Sequence, residues 1–68
     1  MNLSYGINKN VSVFPGQFVR VTLFNGTQWT GSFIRVIEEK GLKIAEFQTI
    51  VGVKRVGLWA PYYMKVLK

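Results

Sequence analysis

The stretch VRVTLFNGTQWTGSF, residues 19–33, decides the fold. In an extended chain Val19, Val21 and Leu23 point to one side, and Arg20, Thr22 and Phe24 point to the other. Asn25-Gly26 then supplies two residues that tolerate positive φ, as a type I′ turn requires. On the returning strand Trp29, Gly31 and Phe33 share one face. The stretch reads as a β-hairpin, and the remainder of the chain can be placed outward from it.

Upstream, Asn2, Asn8 and Asn10 disfavour a helix. Residues 1–13 are expected to form an extended N-terminal arm, with Tyr5, Ile7, Val11 and Val13 as anchors. Phe14-Pro15-Gly16-Gln17 has the residues of a type II turn. Strands are predicted at 17–24, 27–37, 42–47, 50–56 and 62–67. Gly31, inside the long second strand, marks a bend or bulge. Glu38-Glu39-Lys40-Gly41 is a hairpin loop. The next connection falls near Gln48-Thr49, neither of which is a strong turn former. Pro61 belongs at a strand start or edge. No helical periodicity persists for more than about two turns. The prediction is therefore all-β, with residues 14–68 forming one small, strongly bent five-stranded barrel of Src-homology-3-like shape.

Composition narrows the function. The 68 residues include no Cys and no His, and only three carboxylates, Glu38, Glu39 and Glu46. The usual general base, the thiolate nucleophile and the commonest metal ligands are all missing, so no enzyme, catalytic residue, metal or cofactor is expected. Nine Lys and Arg give a net charge of +6. That excess is the electrostatic footprint of nucleic-acid binding, although it also serves solubility. The 33 apolar residues exceed what a small barrel interior holds. Such a surplus points to an interface and to self-association. No apolar run is long enough for a transmembrane helix, and the first residues lack a signal-peptide pattern, so a cytoplasmic location is expected.

Residues 19–39 resemble the first motif of the Sm and Sm-like family. Val19, Val21, Leu23, Gly26, Gly31 and Phe33 fit it position by position. The resemblance covers about a third of the chain. It implies that residues 14–68 form an Sm-like barrel, that the chain assembles into a homo-oligomeric ring through its fourth and fifth strands, and that the ring binds RNA in nucleic-acid processing. The base-reading loop departs from the pattern. Gly41 stands where the family has Asn, Lys40 where it has Met, and Ile37 where it has an acid. Arg55 and Gly57, adjacent in the family's second motif, are separated by Val56.

Four residues are candidates for contact with nucleic acid. Lys40 lies in the loop after the second strand, and Lys54 and Arg55 lie near the loop before the last. Convergent basic loops would hold phosphates. Trp59, beside them, would stack a base or plug the barrel end. Val51, Val53, Tyr62, Tyr63, Met64 and Val66 are the candidate oligomer interface. Arg20 and Arg35 form a possible basic stripe on the outward face. The expected partner is RNA or single-stranded DNA, bound with low sequence specificity. The alternative is a protein–protein interaction or assembly module that binds no nucleic acid.

Overall fold

The computed structural model describes residues 1–67 as seven strands with no helix among them. They are β1 (Asn2–Tyr5), β2 (Lys9–Ser12), β3 (Phe18–Leu23), β4 (Gln28–Glu39), β5 (Leu42–Thr49), β6 (Gly52–Gly57) and β7 (Pro61–Val66). Two antiparallel sheets result. One is the β1–β2 hairpin; the other has the order β6-β5-β4-β3-β7. β6 and β7 are the two edges of the larger sheet, which is open and not closed into a barrel. No helix among the described residues is long and apolar enough to cross a membrane.

The first thirteen residues are a hairpin rather than a plain extended arm. Leu3 and Val13 are wholly buried and Tyr5 nearly so, packed in one core with Val19, Val21 and Phe47. The Tyr5 hydroxyl donates to the Met64 carbonyl at 3.2 Å. Gly6 lies so close to β7 that a Cβ there would stand 2.8 Å from the Pro61 carbonyl oxygen. The hairpin thus packs against β7. Of the expected anchors, Val11 is half-buried and Ile7, at the hairpin turn, is 80% exposed. A turn residue has little sheet beneath it to pack on, whereas alternate strand positions do.

The turns follow local chemistry, with two exchanges of type. At Phe14–Gln17 the Gln17 amide donates to the Phe14 carbonyl at 3.1 Å, and Gly16 has φ +94°, as a type II turn needs. The Asn25-Gly26 turn is not type I′, because only Gly26 has positive φ (+87°). Residues 24–26 form a three-residue loop, closed by the Leu23 amide on the Thr27 carbonyl at 2.9 Å. Such a loop requires one left-handed residue, and Gly26 supplies it. Asn25 instead accepts the Thr27 amide on its side-chain oxygen at 3.0 Å. The two consecutive positive φ values of a type I′ turn occur at Lys40 (+52°) and Gly41 (+79°), between the paired Glu39 and Leu42. β5 runs on through Gln48 and Thr49, so the next turn is Ile50-Val51. Thr49 secures it by accepting the Val51 amide and donating to the Gly52 carbonyl.

Gly31 and the bulge are separate features. The β4–β5 register shifts between Phe33 and Arg35, which places the extra residue at Ile34. Phe33 faces the core and pairs with Phe47, their ring centroids 5.7 Å apart. Simple alternation would turn Arg35 inward as well, but the inserted Ile34 sends it to the outer face opposite Glu46. Gly31 is a point of close approach: a Cβ there would meet Phe47 Cβ at 2.9 Å and Thr49 Cγ2 at 3.1 Å.

Candidate nucleic-acid interface

Three connections meet at one end of the molecule. They are the β1–β2 turn, the Lys40-Gly41 turn with the start of β5, and the turn at Leu58–Ala60. The Leu58 amide donates to the Lys43 carbonyl at 3.0 Å and ties the third connection to β5. Ala60 closes that turn by donating to the Gly57 carbonyl at 2.9 Å. The Trp59 indole lies over Gly57, in the space a side chain there would fill. Its rest is possible only because Gly57 has no Cβ, and the residue remains largely exposed.

Between these connections runs a cleft of about 430 Å³, lined by Ser4, Asn8, Lys9, Asn10, Gly41, Lys43 and Trp59 among others. Lys9 and Lys43 are the charged residues of its wall; among the described residues no carboxylate lines it, and Glu38 stands opposite Lys43 in the β4–β5 register. The Ser4 hydroxyl donates to the Asn10 side-chain oxygen at 2.6 Å across the hairpin, which holds one wall in register. The cleft therefore offers two ammonium groups, side-chain amide donors, and one accessible indole. Ammonium groups bind phosphate oxygens as point charges, and an indole face accepts any base.

The four sequence candidates do not converge. Trp59 lines the cleft, and Lys40 stands exposed at its edge, next to Gly41. Lys54 and Arg55 are in the middle of β6, not in a loop, because β6 continues to Gly57. Lys54 pairs with Phe47, roughly 17 Å along β5 from Leu42. Its ammonium sits 5.6 Å from the Trp29 ring centroid. Arg55 is on the outer face, where its Nε donates to Glu46 Oε2 at 2.8 Å. Arg35 donates from the opposite side to Glu46 Oε1 at 2.6 Å. The hydrogen bond from Arg35, and the charges of both arginines, hold the Glu46 carboxyl below its ordinary value of 4.5 against the opposing effect of burial. Arg20 faces Lys65 and Thr30 on the same outer face, apart from that triad.

Lys9, Lys43 and Asn10 were missed from sequence. Lys9 sits between two asparagines beside a turn, a weak signal by itself. That it meets Lys43 and Trp59 depends on how the hairpin docks.

The candidate interface residues are distributed in three ways. Val51, Val53, Tyr62 and Tyr63 are exposed, Val66 is half-buried against the core, and Met64 is inside it. Met64 belongs to the fold, since it is paired opposite Val21 and faces inward. Ile50 and Val51 form an exposed apolar tip, Ile50 being 104% exposed and Val51 78%. With Phe18, Trp29 and Lys54 they border a second, mostly apolar groove of about 650 Å³. No family model matches the chain, and no curated protein or solved structure is significantly similar to it.

Proposed function

We propose that the protein binds single-stranded RNA or DNA without catalysis and with little sequence specificity. Lys9, Lys43 and Trp59 are its main contacts, and Lys40 lies at the edge of the site. The observation that carries this reading is the cleft itself, which combines two lysines, an accessible indole and no carboxylate on a chain of net charge +6. Phosphate neutralisation by the lysines supplies the sequence-independent part of the affinity. Stacking on Trp59 adds about 1–3 kcal/mol per base. The Sm-like resemblance is in keeping with nucleic-acid binding and with a strongly bent, barrel-like arrangement of the five-stranded sheet. A ring built by pairing β6 with a neighbour's β7 would have to displace the N-terminal hairpin from β7. It would also have to accept Lys54 and Arg55 on the pairing edge, a common device against strand addition. The cleft forms within one chain, so binding does not require the ring.

Fluorescence anisotropy with labelled oligo-U, oligo-A and mixed-sequence DNA, over a range of salt concentrations, tests the proposal. Log affinity is expected to fall linearly with log salt, with a slope of about −0.7 per phosphate neutralised. Lys9→Ala and Lys43→Ala each weaken binding to every sequence and flatten that slope. Trp59→Ala weakens binding and leaves the slope unchanged. No binding at low salt, or binding indifferent to all three changes, refutes the reading. Loss of the cleft reading would favour a protein-interaction module acting through the apolar groove at Phe18, Trp29, Ile50 and Val51.

A further inference from the structure

Among the described residues Glu46 is the one charged residue that is buried, 3% exposed although it is on the outer face, and both its oxygens are occupied. It holds Arg35 and Arg55 in a row across β4, β5 and β6, on the outer face of the sheet. One arginine would neutralise it. The second makes the cluster cationic, with a net charge of +1. Each guanidinium is bound to Glu46 through its Nε. The side chains are 65% and 60% exposed, and among the described residues no hydrogen bond engages their Nη groups. The two backbones that carry them are two strand spacings apart, about 9.5 Å. The next row on this face is Ser32, Gln48 and Val53, which adds a hydroxyl and an amide beside the guanidinium heads. The other carboxylates, Glu38 and Glu39, follow three and four residues after Arg35 at the end of β4, about 10–13 Å along the strand.

We infer that Arg35 and Arg55, held in place by Glu46, form an anion site on the outer face that takes a phosphate group. Two guanidinium groups with outward N–H donors match tetrahedral phosphate oxygens, and each can donate two bonds in a fixed plane. The bonds from Arg35 and Arg55 to Glu46, at 2.6 and 2.8 Å, position the two side chains before the ligand arrives. The phosphate can belong to a nucleic-acid backbone or be a free inorganic phosphate. The site is separate from the Lys9–Lys43–Trp59 cleft and does not depend on it.

The side-chain Nε–Hε resonances of the three arginines report on the site directly. Inorganic phosphate should move the Arg35 and Arg55 signals saturably and leave that of Arg20 in place. Arg35→Lys and Arg55→Lys conserve charge but lose the planar fork, and each should weaken binding by about tenfold. Lys9→Ala and Lys43→Ala should leave it unchanged, which separates this site from the cleft. In a second titration, with hexathymidylate, movement of the same two signals at lower concentration assigns the phosphate to nucleic acid. Movement with inorganic phosphate alone assigns it to the free anion. Equal shifts at Arg20, no saturable shift, or undiminished binding in both Arg35→Lys and Arg55→Lys overturn the inference.

Discussion

Leu3→Ala tests whether the N-terminal hairpin is part of the domain. Leu3 is 0% exposed and packs in the same core as Val19, Val21 and Phe47, far from it in sequence. Truncating a wholly buried Leu to Ala costs about 2–5 kcal/mol through lost transfer energy and the cavity left behind. A 68-residue domain has a total stability of about 3–10 kcal/mol, so the variant loses a large fraction of it. At about 4–8 °C per kcal/mol for a domain of this size, the thermal midpoint should fall by at least about 8 °C. Far-UV circular dichroism and urea unfolding measure this, and the transition should remain single with the slope in urea unchanged. Ile7→Ala, in the same hairpin but exposed, should leave the midpoint almost where it is. A Leu3→Ala midpoint within about 2 °C of the parent would refute the reasoning. So would a melt in two steps, with the hairpin coming away first.

Gly31→Ala should lower the midpoint, because the new Cβ must fit 2.9 Å from Phe47 Cβ and 3.2 Å from the Gln48 carbonyl oxygen. The net cost is about 1–2 kcal/mol once the stiffer unfolded chain is allowed for, and adding Thr49→Ser should restore part of it; no loss in the single variant means the approach is not close. Glu46 has a lowered pKa, so it stabilises the fold above its ordinary value of 4.5 and ceases to do so as pH falls through its folded value. Carboxyl NMR should give a titration midpoint below 4.5, and Glu46→Gln should reduce the acid-induced fall in thermal midpoint; an identical acid profile in the variant counts against the triad. Gly57→Ala should displace the Trp59 indole and alter its fluorescence while the melt changes little, whereas an unchanged spectrum means the ring rests elsewhere.

Much of the fold was legible because strands announce themselves by alternation. Val19, Val21 and Leu23 were readable as one face of a strand and Trp29, Gly31 and Phe33 as one face of the next, and the five long strands were placed to within a few residues. Turn residues were legible as turns, and at Phe14–Gln17 as the turn type, but not as the type of each hairpin. Asn25-Gly26 suits a two-residue loop, yet the chain closes a three-residue one there, and the type I′ turn forms at Lys40-Gly41. The type depends on which strand residues pair, and that is settled by the register of both strands. The N-terminal segment was the largest misreading, since four-residue strands interrupted by asparagines carry little periodic signal. Leu3 and Val13 are buried by a core assembled from distant strands.

The sequence by itself determined the class of structure, the succession of strands and the chemistry on offer: cations in excess, few carboxylates, no imidazole and no thiol. These are properties of composition and of local period, which need no partner in space. Tertiary structure alone decided which cations act together. Lys54 and Arg55 are neighbours in the chain but point to opposite faces of β6, one over Trp29 and the other to Glu46. Lys9, Lys43 and Trp59 are far apart in the chain and line one cleft. Arg35 reaches the outer face only because one residue is inserted at Ile34. Charge is carried by each residue, whereas a site is a matter of distance and direction. Those follow from strand register, a bulge and the docking of a hairpin, each fixed by packing against residues remote in sequence.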